Sequence, residues 1–147
     1  RTNLYAAGGG IGQGLAMAVG AGVARPGEPV LAMVGDGGLM VHLGELATMA
    51  AEQPHVILVV FNDGGYGVLR NLQRAKDAPA RGVDLVTPDL ARLAASFGLA
   101  HKRVRKPKTF AAALDAALAR PGPSVIEVDV PALKPAPVPF VPPVDVP

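Results

Sequence analysis

The sequence predicts an α/β fold of three layers, a mostly parallel sheet with helices on both faces. Three observations point there. Short apolar runs alternate with stretches of helical spacing, as in strand–helix–strand units. Two runs, residues 30–34 and 56–61, are continuously apolar rather than alternating and read as buried strands, the second and stronger one covered on both faces. The core must also be aliphatic, because half of the 147 residues are hydrophobic but only 4% are aromatic. Ala, Val, Leu and Ile packed between sheet and helices suit that composition.

The elements follow in order. A glycine-rich turn over 8–14 leads into small residues, 15–24, with helical character, and Pro26 and Pro29 end that element. Residues 30–34 read as a buried strand, broken sharply by Gly35-Asp36-Gly37-Gly38. Leu39, Leu43, Leu46 and Met49 recur near 3.6-residue spacing, which predicts one helix over 39–52. The second strand, 56–61, is broken by Asn62-Asp63-Gly64-Gly65, and a polar segment runs on to Val86. Thr87 then reads as the cap of a helix with Pro88 in its first turn, ending at Gly98. A short strand is expected over 102–104, a helix capped by Thr109 reaching about Ala119, and a last strand over 124–130. Proline recurs at nearly every second or third position from Pro131, so one domain over 1–130 is expected to continue into a Pro-rich extended tail, 131–147.

Composition excludes several chemistries. There is no cysteine, hence no disulfide, thiolate metal site or thiol nucleophile. His42, His55 and His101 lie far apart and match no zinc spacing. The formal net charge of +2 is too small to argue for nucleic acid, and the basic run from His101 to Lys108 lacks the interleaved aromatics of single-strand binders. It reads as a charged strand with its exposed turn. No apolar stretch approaches the ~20 residues of a membrane span, so a soluble, cytoplasmic protein is expected. The first residue is Arg1, and a piece of a longer polypeptide is expected.

The chemistry sits in the two turns. In an open parallel sheet, ligands bind beyond the carboxyl ends of the strands. If the two apolar strands are neighbours, Asp36 and Asp63 project into one crevice. Two carboxylates with no histidine or cysteine suit a hard divalent cation with oxygen ligands. Gly37 and Gly38 open the following helix, where free backbone N–H groups favour phosphate, and Gly64 and Gly65 let the backbone bend a carbonyl toward a metal. An Asp-Gly pair alone is ordinary turn chemistry; two of them, each directly after a buried strand, are less easily explained that way. Residues 8–14 offer no dinucleotide fingerprint, since the third glycine would fall on Gln13, Leu15 or Met17. Nor are they a Walker loop, since Leu15 follows Gly14.

Gly35-Asp36-Gly37, then 24 residues (38–61), then Asn62-Asp63 resembles the signature of thiamine-diphosphate-dependent enzymes, in which Gly-Asp-Gly is followed at about this distance by Asn-Asn. Ala6-Ala-Gly-Gly-Gly-Ile-Gly12 is similar to the loop before the small-residue helix in benzoylformate decarboxylase and acetolactate synthase. Gly65-Tyr-Gly-Val-Leu-Arg70, the helix start at Asp84-Leu-Val-Thr-Pro-Asp89 and the strand Ser124-Val-Ile-Glu-Val-Asp-Val130 also fit. The resemblance covers about residues 3–130.

It implies that Asp36 and Asp63 bind magnesium (Mg2+) through their side chains and Gly65 through its carbonyl. Gly35, Gly37 and Gly38 would flank the diphosphate, with Tyr66, Gly67, Val68 and Leu69 along its other side. Gly9 would accept a hydrogen bond from the aminopyrimidine, Ile11 would wedge between the two rings, and Leu72 would line the substrate pocket. No catalytic residue is expected in this chain, because the activating glutamate of the family lies on a pyrimidine-binding domain that no segment here resembles. The resemblance thus implies the cofactor-binding part of a decarboxylase or carboligase of 2-oxo acids, within a homodimer or homotetramer of the full enzyme. Alone, the chain is expected to bind cofactor weakly and turn nothing over. A non-catalytic homologue or regulatory subunit, and a metal–phosphate binder unrelated to thiamine, stay open. Two departures stand out: Asp63 replaces the family's second Asn, and Gly38 replaces a common hydroxyl.

Overall fold

The computed structural model describes residues 3–134. Its centre is a four-stranded, wholly parallel sheet of order β1-β2-β4-β3, formed by β1 (Val30–Gly35), β2 (Val56–Asn62), β3 (Ala100–Val104) and β4 (Ser124–Asp129). The helices are α1 (Gln13–Ala24), α2 (Asp36–Val41), α3 (Glu45–Glu52), α4 (Gly67–Ala75), α5 (Leu90–Ser96) and α6 (Phe110–Ala119).

The continuous apolar run of β2 has its reason in the two faces. Val56, Leu58 and Val60 enter one core with Leu15 and Val19 of α1, Met49 of α3 and Leu90 of α5. Ile57 and Val59 point into the other, with Ile126 and Val128 of β4 and Ala113 and Ala117 of α6. Each such buried side chain contributes about 1.5–3 kcal/mol, so both helical layers are held by one strand. The expected three-layer α/β architecture is what forms. No helix among the described residues is long and apolar enough to cross a membrane.

Several local expectations are corrected. β1 is an edge strand buried on one face only: Val30, Ala32 and Val34 pack inward, while Leu31 is exposed and Met33 is 70% exposed. Continuous apolarity does not distinguish this from full burial. The helix expected over 39–52 starts earlier, at Asp36, and breaks in two. At the break, Glu45 and Leu46 N–H groups bond back three residues, to His42 and Leu43 carbonyls, rather than four. The segment after Gly65 holds α4, whose Val68, Leu69 and Leu72 recur at helical spacing among polar residues. Asp89, not Thr87, caps α5, its carboxylate accepting the Ala91 and Arg92 N–H groups. Thr109 stands before α6, but its hydroxyl donates back to the Lys106 carbonyl and caps nothing. At the end of β4, Val130–Ala132 forms a single turn and Leu133 packs on the second core. The remainder of the expected Pro-rich tail, 135–147, lies outside the described residues.

Candidate functional site

Strand register sets the geometry. Gly35 of β1 pairs with Phe61 of β2, so the residues that follow, Asp36 on one chain segment and Asn62-Asp63 on the other, leave the sheet side by side at its carboxyl edge. Asp36 begins α2 and is 1% exposed. Its Oδ1 accepts the backbone N–H of Asp63 at 3.4 Å. Its Oδ2 is buried and has no hydrogen-bond partner. A buried carboxylate oxygen left unsatisfied costs about 1–3 kcal/mol or more, and it signals a missing positive partner.

Asp63 is half-buried opposite it. Burial holds the Asp63 carboxyl above the ordinary carboxylate value, the neighbouring Asp36 charge pushes the same way, and Arg70 pulls back. Arg70, on α4, straps this turn. Its Nη1 lies 3.6 Å from Asp63 Oδ2. Nη1 and Nη2 donate to the Asp63 and Gly64 carbonyls at 3.4 and 3.3 Å. Nε donates to Asp84 Oδ1 at 2.7 Å. The sequence shows Arg70 only as part of a motif; nothing in its spacing reveals the strap.

Glycines are required where the turn closes. Gly65 sits at φ 148°, and a Cβ there would collide with the Val83 carbonyl; Tyr66 N–H bonds that same carbonyl at 2.8 Å. A Cβ on Gly67 would overlap the Asp63 carboxylate. A Cβ on Gly37 would lie 2.6 Å from the Tyr66 ring and 2.8 Å from the Gly65 carbonyl oxygen. The Gly65 carbonyl and the Tyr66 ring therefore come up against the first turn of α2, beside Asp36.

The loop before α1 reaches the same place. Ile11 Cγ1 is 3.8 Å from where a Gly38 Cβ would stand, and Ile11 itself is 54% exposed. His42 is exposed but holds this loop, with Nδ1 3.0 Å from the Gly12 carbonyl. Gly9 is exposed at φ 67°. Val68 and Leu69 are exposed on α4, and Leu72 is half-buried five residues beyond Gly67, outside the hydrogen-bonded cluster.

Gly35, Asp36, Gly37 and Gly38 from one strand end, Asp63, Gly65, Tyr66 and Gly67 from the next and Ile11 from the glycine loop thus come together, while Gly9, Val68, Leu69 and Leu72 stand outside these contacts. Among the described residues no three His, Cys, Asp or Glu side chains form a metal nest. A cation here would rest on two carboxylates and backbone oxygen. That donor set, with an unsatisfied buried oxygen among it, fits a hard divalent ion.

Comparison with known proteins identifies the family. Residues 2–128 match the family described as thiamine pyrophosphate enzyme, C-terminal TPP binding domain. A Mycobacterium tuberculosis protein, IlvX, named for the acetolactate synthase large subunit, is 41% identical over 135 residues, 86% of this chain and 26% of that protein. Benzoylformate decarboxylase of Pseudomonas aeruginosa is 30% identical over 132 residues, 89% of this chain and 25% of its own. The solved structure of a thiamine diphosphate-dependent 4-hydroxybenzoylformate decarboxylase from Rhodococcus jostii superposes with a TM-score of 0.73 at 32% identity, over 80% of this chain and 23% of that one. The chain spans about a quarter of the length of these relatives.

Proposed function

Since the chain belongs to the family of C-terminal thiamine-pyrophosphate-binding domains of thiamine pyrophosphate enzymes, we propose that it holds the cofactor's diphosphate through magnesium, as one part of an enzyme acting on 2-oxo acids. The observation that carries the reading is the pairing of Asp36 and Asp63 around a buried oxygen with no partner.

Asp36 and Asp63 would supply carboxylate oxygens and Gly65 a carbonyl to magnesium, an ion whose protein ligands are commonly few and completed by phosphate and water. Gly35, Gly37 and Gly38 leave the backbone bare beside the diphosphate, with Tyr66, Gly67, Val68 and Leu69 on the far side. Gly9 would accept from the cofactor's aminopyrimidine, Ile11 would pack against its rings, and Leu72 would border the substrate. When bound, the cofactor supplies the electron sink for loss of carbon dioxide or for joining two carbon fragments.

Asp63 brings one more negative charge than the family's Asn. Metal binding requires it ionised, and its carboxyl is held above the ordinary value, so magnesium affinity rises with pH through that range. The apolar walls at Ile11, Val68 and Leu69 are open to solvent in this chain, which favours a second domain or subunit closing the site. That partner is a pyrimidine-binding domain carrying the activating glutamate, in a homodimer or homotetramer of the full enzyme. Whether the whole decarboxylates or joins 2-oxo acids is chosen outside these residues.

Calorimetry tests the reading. Thiamine diphosphate binds the chain weakly with magnesium, not without it, and Asp36→Ala abolishes binding. Equal heats for both proteins would refute the metal role of Asp36.

A further inference from the structure

Glu127 is 2% exposed in the middle of β4, and the cofactor reading assigns it nothing. A carboxylate so buried is stable only when its lone pairs are filled. Three donors fill them. Asn62 Nδ2 donates to Oε1 at 2.9 Å, and His101 Nε2 and Arg103 Nε approach Oε2 at 2.9 and 2.7 Å. The run from His101 to Lys108 is therefore more than a solvated strand, since two of its basic side chains turn inward onto this one group. Register explains the meeting, because Glu127 pairs across with Val60 on β2 and with Arg103 on β3.

The bond to Asn62 has a directional consequence. An ionised carboxylate only accepts, so the amide must turn its Nδ2 toward Glu127 and its Oδ1 the other way. That Oδ1 accepts the Gly64 N–H at 3.3 Å, closing a local turn that has Asp63 at its centre and leads into Gly65. Asn62 is thus a template for the turn rather than a ligand, and the template is oriented from β4.

We propose that Glu127 is a positioning residue: with His101 and Arg103 it fixes the Asn62 amide, and through it the turn that presents Asp63 and Gly65. The inference rests on the metal reading of that turn, but its first readout does not. In the protein without metal, Gly64 N–H and the Asn62 side-chain amide exchange slowly with solvent. Glu127→Gln speeds both, because the new amide satisfies Arg103 and His101 with its oxygen and then offers a donor to Asn62, forcing the Asn62 amide over. Adding Asn62→Asp to that variant restores Gly64 protection, since the carboxylate introduced there accepts both from the new amide on β4 and from the Gly64 N–H. A merely structural ion pair on the sheet edge predicts no such rescue. The second readout is magnesium affinity at saturating thiamine diphosphate, which falls about 10- to 100-fold in Glu127→Gln, as for other outer-shell partners.

Unchanged Gly64 exchange in Glu127→Gln, or wild-type magnesium affinity in that variant, would overturn the proposal. Failure of the unsubstituted chain to bind magnesium and thiamine diphosphate would count against the cofactor reading instead, with the exchange result still deciding the role of Glu127. Should Glu127→Gln not fold, Asn62→Ala asks the same from the other end: Gly64 loses protection while the β3–β4 pairing keeps its own, and retained Gly64 protection refutes the template.

Discussion

Asp36 Oδ1 accepts the Asp63 backbone N–H across the ends of two adjacent strands, so the Asp36 carboxylate is tied to the turn that carries Asp63. The arrangement is electrostatically unfavourable on its own. Asp36 Oδ2 is buried with no donor, and burial and Asp36 together raise the Asp63 carboxyl.

Removing the Asp36 charge should therefore stabilise the metal-free chain. Asp36→Asn keeps the acceptor for Asp63 N–H and supplies a neutral group. Urea unfolding without metal is expected to show a gain of about 1–3 kcal/mol, because the like charge beside Asp63 is lost and the new amide donates to the Asp63 carboxylate. In the same variant, magnesium and thiamine diphosphate no longer raise the melting temperature. A loss of stability would mean Asp36 is satisfied in a way the structure does not show.

The sign of the pH effect at Asp63 follows from its raised value. The folded state holds this proton more tightly than the unfolded chain, whose value is near 3.8. The wild type should lose stability relative to Asp63→Asn as pH rises from 3.8 through the raised folded value, and the difference should then level off. Magnesium affinity rises over the same window. Parallel stability curves for the two proteins would contradict the shift.

Gly67 lies against the Asp63 carboxylate with no room for a methyl group. Gly67→Ala is expected to displace that carboxylate and weaken magnesium binding, although alanine favours the helix by about 1 kcal/mol over glycine. Calorimetric affinity alongside the melting temperature separates the two effects. Unimpaired binding would show that Asp63 moves freely.

Ile11 divides stability from binding. It is over half exposed and belongs to neither core, so Ile11→Ala should alter unfolding free energy by no more than about 0.5 kcal/mol. Thiamine diphosphate binding should nevertheless weaken. Free magnesium and pyrophosphate, which lack the rings, should bind as before. Equal losses for thiamine diphosphate and pyrophosphate would place Ile11 outside the ring site.

What the chain revealed before folding was its local chemistry. The two apolar runs became adjacent strands, and the acid–glycine turns that follow them met, because strand ends and turn residues are encoded within a few positions. Relations between distant segments were not legible. The open face at Leu31 and Met33 depends on which strand stands at the edge, and apolarity alone carries no such label. At the break, His42 meets a glycine carbonyl thirty residues earlier in the chain. Arg70 and Glu127 act through partners on other elements, so neither has a signature of spacing. Helix α4 could have been read from Val68, Leu69 and Leu72, but the glycines before it and the polar residues among them masked the period.

The most direct measurement is a titration of the isotope-labelled chain with Mn2+, an oxygen-seeking substitute for magnesium, in the presence of thiamine diphosphate. The amide resonances of Asp36, Gly37, Asp63 and Gly65 are expected to broaden first and together, ahead of exposed acids such as Asp77 and Asp115. Broadening that begins at those exposed acids, or that reaches Asp36 and Asp63 at separate concentrations, would contradict a single cation held between the two strand ends.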